Sequence, residues 1–289
     1  MTTHDESGAT ARTRRETFHS GSPVAARLAT RSGDIVVTTS STDEVVVTLR
    51  TPPGASGSHL DGVEVEFDAA RQTLRVTTPA ALGHGGSSTA RPWRRSFIAP
   101  SPRDVDVEVS LPEGSDVEID TASGDSVIRG AVKAVSVHSA SGDVVVDDAD
   151  SVSARTASGD LMIGRTTTSL SVQSASGDVV VKQGARTTKI ESASGDVRVA
   201  ATGHTTEVST ASGDVNVGAA CTGKVSARSA SGDVRISVAP GLNIDVDAHS
   251  VTGELTSTID LSRDGSDDAG EVLDLRVGTV SGDVAVVRA

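Results

Sequence analysis

At 289 residues the chain has room for one or two ordinary domains, or for one elongated array. Hydrophobic residues make up 36%, with three Phe, one Trp and no Tyr, so the aromatics that usually supply buried area in a globular core are missing. The net charge of −13 speaks against phosphate backbones and anionic membrane surfaces as main partners, and one cysteine, Cys221, excludes an intramolecular disulfide.

Residues 1–23 are polar and aperiodic, and are expected to form a disordered tail. The opening stretch has no apolar run of the kind found in a signal peptide, and no stretch of ~18 apolar residues occurs anywhere; a cytoplasmic location is the expectation. Residues 24–111 read as an N-terminal β cap with the first diverged coils. Leu28 and Thr30 lead into Ser32-Gly33-Asp34 and then Ile35 and Val37, and Val45, Val47 and Leu49 alternate in a further strand. Val63-Glu-Val-Glu-Phe67 and Leu74-Arg-Val76, joined by Asp68-Ala-Ala-Arg71, predict a hairpin. Residues 79–103 predict a long loop. Within it, Arg91, Trp93, Arg94 and Arg95 are candidates for contact with an anionic partner or a carbohydrate.

Residues 112–289 are dominated by one phrase, Ser/Thr-Ala-Ser-Gly-Asp. Its glycines are Gly124, Gly142, Gly159, Gly177, Gly195, Gly213 and Gly232, and its aspartates are Asp125, Asp143, Asp160, Asp178, Asp196, Asp214 and Asp233, 17 to 19 residues apart. A near-fixed period is the mark of stacked repeats. Each unit reads as two short strands alternating at period 2, with a break at Gly-Asp. Val or Leu fills a column at Val144, Leu161, Val179, Val197, Val215 and Val234, whereas Asp120, His138, Arg155, Gln173, Glu191, Ser209 and Arg228 share no chemistry, as an outward face would. The fold expected is all-β: a parallel β-solenoid of ~18-residue coils with an irregular N-terminal cap. Thr252-Gly253-Glu254 and Ser281-Gly282-Asp283 extend it to the C-terminus, with a loop near residues 262–268.

The glycines supply positive φ at a sharp corner, and Asp and Ser can hold that corner through backbone hydrogen bonds. The competing reading is Ca²⁺ binding by the aspartate column. One carboxylate per coil falls short of six to eight oxygens, so no metal or other cofactor is expected. The seven histidines lack ligand spacing, Cys221 lacks an electropositive setting, and no Gly-x-Ser-x-Gly elbow occurs. No catalytic residue is assigned, because identical coils do not make one asymmetric site.

The recurring Ser-Ala-Ser-Gly-Asp-Val, together with Leu28–Val37 and Asp43-Glu-Val-Val-Val47, resembles the DUF4097 family of β-strand-repeat proteins, also labelled putative adhesins. The resemblance spans about residues 24–289 and implies a structural or binding module, in some members near bacterial envelope-stress systems. The expected function is therefore a non-catalytic interaction module with an unknown protein partner or self-association. An exported adhesin is the alternative. A polysaccharide-active enzyme is disfavoured by the near absence of outward aromatics.

Overall fold

The computed structural model describes residues 12–51, 58–78, 105–221, 223–258 and 272–288. These form an all-β, open, β-solenoid-like sheet system with one helical turn, Ser58–Asp61. Val, Ile and Thr fill the strands, where their branched side chains pack on a pleated surface.

Each coil contributes one strand before its Gly corner and one after it. The two sets build two ladders, both parallel through the array. In the ladder before the corners, Ser171–Ser174 pairs with Lys189–Ser192, which pairs in turn with Glu207–Thr210. In the ladder after them, Leu161, Val179, Val197, Val215 and Val234 are in register from coil to coil. In the first coils one strand runs through both ladders, as in Ser126–Ser139 and Val144–Thr156.

The core lies between the ladders. Val137, Ala154, Val172, Ile190, Val208 and Ala227 face inward from one side, and Val144, Leu161, Val179, Val197, Val215 and Val234 from the other; all are buried. Small β-branched residues fill this narrow space without aromatics. Burial alternates strictly in strands such as Glu44–Arg50 and Asp116–Thr121, as period-2 geometry demands.

Three features depart from a coil-after-coil stack with a loose N-terminus. The first is the tail expected over residues 1–23: within it, Thr13–His19 is a strand, antiparallel to Glu44–Arg50 in an unbroken register. Its half-buried face is Arg14, Glu16 and Phe18, a polar-looking set that masks the alternation. Arg14 donates to the carbonyls of Leu60 (3.1 Å) and Val63 (2.9 Å), and Phe18 stacks on Phe67 at 5.2 Å. Residues 1–11 and the expected loops at 79–103 and 262–268 lie outside the described residues.

The other two departures concern the order of coils at the ends. Near the N-terminus, Ala25–Thr30 and Ile35–Ser40 sit between two segments that follow each other in sequence. On one side are Thr73–Thr77 and Asp106–Pro112, on the other Asp116–Thr121 and the start of Ser126–Ser139. The C-terminal coils do not extend the array in sequence order either. The coil of Val272–Ser281 and Val284–Arg288 is inserted between Gly223–Val238 and the coil of Asn243–Thr252 and Leu255–Ser257. The first and last coils of the chain are thus each paired on both sides. A terminal coil paired on one side only would fray, because chain ends lose order first.

The hairpin expected around residues 68–71 is present, with Glu64–Asp68 antiparallel to Thr73–Thr77.

Candidate interaction surfaces

The repeated corner is the first place to look for a site, and it uses two of its polar groups internally in every coil, the opening hydroxyl and one aspartate oxygen. The opening Ser/Thr of each phrase is buried, and in six of the seven its hydroxyl donates to the carbonyl two residues on, while Ser229 donates to the Gly213 carbonyl of the neighbouring coil (3.2 Å). Examples of the six are Thr121 to Ser123 (3.1 Å), Thr156 to Ser158 (2.9 Å) and Ser174 to Ser176 (3.1 Å). This closes the corner as an ST-turn.

The aspartate works between coils. Its Oδ1 accepts the backbone N–H of the corresponding aspartate in the neighbouring coil, giving an unbroken ladder. Asp143 N–H donates to Asp125 (2.9 Å), Asp178 to Asp160 (2.8 Å), Asp196 to Asp178 (2.9 Å) and Asp233 to Asp214 (2.9 Å). It continues through the inserted coil, where Asp283 donates to Asp233 and Glu254 to Asp283, both at 2.8 Å. At the other end Asp125 donates to Asp34 and Asp34 to Asp106.

Asp106 was missed by sequence reasoning, because no Ser-Gly precedes it. Val105 occupies the glycine's place there, its carbonyl oxygen 2.3 Å from where a Cβ on Gly33 would lie. The readable signal was Asp106-Val-Glu-Val109, the alternation that follows every corner aspartate.

The ladder accounts for the stacked like charges without a cation. Each Oδ1 sits on a backbone donor, so every stacked carboxylate has a partner within the chain. Among the described residues no three His, Cys, Asp or Glu side chains gather as a metal site. Two substitutions separate acceptor from charge. Asp178→Asn keeps an oxygen on the Asp196 N–H and removes repulsion from Asp160 and Asp196; its melting temperature should equal or exceed that of the parent. Asp178→Ala leaves that N–H without its acceptor and should cost about 1 kcal/mol. Equal losses for the two variants in chemical denaturation would contradict the acceptor role.

The outward face of the ladder before the corners is the second place for a site. The first five residues of its column without shared chemistry, Asp120 to Glu191, are connected side chain to side chain. His138 Nδ1 lies 3.1 Å from Asp120 Oδ1, Arg155 lies 3.4 Å from His138 Nε2 and donates to Gln173 (2.8 Å), and Gln173 donates to Glu191 (3.1 Å). The Lys189 ammonium, 2.7 Å away, and then Gln173 hold the Glu191 carboxyl below the usual range. That contribution is present at neutral pH and fades as pH falls through the lowered value, and solvent screening keeps it small.

One column over, Arg27 grips Glu118 through two nitrogens at 2.9 and 2.5 Å. Ser136, Ser153 and Ser171 follow in register. With Glu66, Asp68 and Arg75 of the hairpin they line a shallow groove.

Arg91, Trp93, Arg94 and Arg95 lie outside the described residues. Cys221 is exposed and, among the described residues, forms no disulfide. No helix among the described residues is long and apolar enough to cross a membrane.

These features define an all-β, β-solenoid-like repeat protein whose signature motif is a structural corner. More particularly, the chain belongs to the Toastrack DUF4097 family, whose model matches residues 28–287. Among solved structures it is similar to a "putative adhesin" from Bacteroides fragilis, at 13% identity and a TM-score of 0.46, covering 97% of this chain and 99% of that one. It is also similar to a "putative lipid binding protein" from Parabacteroides distasonis, at 14% identity and a TM-score of 0.42, covering 98% of both chains. No curated protein matches the sequence.

Proposed function

We propose that the chain is a non-catalytic interaction module built on a parallel β-solenoid of ~18-residue coils, with the outward face of the ladder before the corners as its contact surface. The supporting observation is where the motif's opening hydroxyls and aspartate Oδ1 atoms go: into the corner turns and the inter-coil ladder, the same in every coil, rather than into one convergent set of acid, base and nucleophile. What faces outward is a groove of Ser136, Ser153 and Ser171 flanked by paired charges, a surface suited to an extended partner segment.

We place the module in the cytoplasm, in a setting linked to envelope stress. An adhesin-like role on the cell surface is the second reading; the same exposed groove supports it, and it requires export. Fractionation of the source cells separates the two.

Ser171→Arg should leave the melting temperature within about 2 °C, since an exposed site away from special features changes stability little. It should abolish co-isolation of whatever partner the parent chain retains. An unchanged partner set would reject the groove, and turnover of a glycan substrate would reject the non-catalytic reading.

A further inference from the structure

The two ends of the stack are finished differently. At the N-terminal end the outermost strands, Thr13–His19 and Glu64–Asp68, are antiparallel additions bearing Arg14, Arg15, Glu16, Glu64, Glu66 and Asp68. Arg14 points inward onto the Leu60 and Val63 carbonyls, and the Phe18–Phe67 stack and buried Leu60 and Val63 close the core. Charges on an edge and an inward-pointing charge are the usual means of blunting it.

The C-terminal end has none of this. Its outermost coil, Asn243–Thr252 and Leu255–Ser257, pairs on one side only, and no described strand lies beyond it. The core column passes from Leu273, Leu275 and Val277, all buried, to Ile244, Val246 and Ala248, which are only partly covered. Leu255 stands in register with buried Val284, yet is 50% exposed. The alanine found in all seven Ser/Thr-Ala-Ser-Gly-Asp phrases becomes Val280 and then Val251, 55% and 61% exposed, in the last two coils. The apolar surface therefore widens toward the open edge. The aspartate ladder also stops here, at Glu254, so nothing prepares this edge for a further coil of the same kind.

We propose that this edge is the contact face of a two-fold homodimer, in which Asn243–Thr252 pairs antiparallel with the same strand of a second copy. Head-to-tail stacking is closed off by the blunted N-terminal edge. A second copy offers the same bare edge, and two identical edges meet about a two-fold axis.

Charge selects the register. Opposed residues must share a sheet face, which leaves every second alignment. Centring on Asp247 opposes Asp247 to itself, and centring on Val246 opposes Asp245 to Asp247; like charges directly opposite are destabilising. Centring on Ala248 avoids both. It sets Asp247 against His249 of the second copy, twice, and Val246 against Ser250, and keeps residues 244–252 paired. Residues 259–271 are the competing cover, but their sequence holds five acidic residues against Arg263 and only Ile259, Leu261 and Ala269 as apolar side chains. That is a poor match for an apolar edge. The proposal is independent of what the groove on the other surface binds.

Sedimentation of the full chain tests it. A reversible monomer–dimer equilibrium is expected, weakened about tenfold or more by Val246→Lys, which buries an unpaired charge in the contact. Met162→Lys, at an exposed position in mid-array, should leave it unchanged. Ala248→Cys in a Cys221→Ser background should oxidise to a covalent dimer, because directly opposed residues lie within disulfide reach. This variant gives a reading even if Val246→Lys fails to fold. A monomer at every concentration overturns the proposal. A dimer indifferent to Val246→Lys with no Ala248→Cys cross-link, or open-ended assembly, overturns it equally.

Discussion

Gly177→Ala should destabilise the array by about 3 kcal/mol or more, well beyond the roughly 1 kcal/mol typical of a point substitution. Two separate demands meet at this position. The backbone has φ of +115°, which L side chains rarely adopt, and a Cβ would lie 2.2 Å from the carbonyl oxygen of Gly159 in the next coil. The atom in the way is backbone, so relief requires the coils to part, and parting them breaks the corner hydrogen bonds on both sides.

Other glycines separate the two demands. Gly241 has φ of +81° and nothing within 4 Å of an added Cβ; Gly241→Ala should pay the conformational strain alone, about 1 kcal/mol. Gly218 lies outside the left-handed region, but its Cβ would come within 2.3 Å of the Ala200 carbonyl oxygen; Gly218→Ala should pay the clash alone. Chemical denaturation of the three variants should rank Gly177→Ala as the most damaging. A Gly177→Ala loss no larger than that of Gly241→Ala would show that the coils are not stacked as tightly as the corner geometry requires.

The glycine column was legible in the sequence because its constraint is local and repeated. A positive φ and a close approach at every coil leave the same residue in the same place. The inward columns, such as Leu161 to Val234, were legible for the same reason. The partner of each aspartate was not. Sequence reading has Asp holding its own corner, whereas the carboxylate serves the next coil; position in one repeat does not say across which boundary a side chain reaches. The order of the end coils was hidden more deeply. Val272–Ser281 and Asn243–Thr252 have similar alternation and similar corners, so either could dock on Gly223–Ser231. One difference is readable afterwards. The inserted strand offers Leu273, Leu275 and Val277 to the core, and the outer one Ile244, Val246 and Ala248. The bulkier pair of leucines goes where coverage on both sides repays it. The groove needed the hairpin and the Ser136 column brought together in space, and no spacing in the sequence announces that.

Removing the strand Thr13–His19 is the second change with a large expected effect. Its reading as tail would make deletion of residues 1–20 harmless. The structure makes it the outer strand over Glu44–Arg50, with seven opposed pairs. Deletion takes away the ladder bonds of that pairing, the two Arg14 bonds to Leu60 and Val63, and the Phe18 ring from Phe67. A partly buried Phe and a set of edge hydrogen bonds together amount to on the order of 3 kcal/mol. The larger consequence is exposure of Glu44–Arg50, whose sequence Glu-Val-Val-Val-Thr-Leu-Arg becomes a bare edge rich in β-branched residues. Such an edge templates pairing with other chains. The shortened chain should melt at lower temperature and scatter light increasingly with concentration. Arg14→Ala with Phe18→Ala should reproduce part of the thermal loss with little of the scattering, because the strand itself remains to cover the edge. A deletion that melts and stays dispersed like the parent would show that the first strand adds nothing to the cap, and that Leu60, Val63 and Phe67 close this end of the core by themselves.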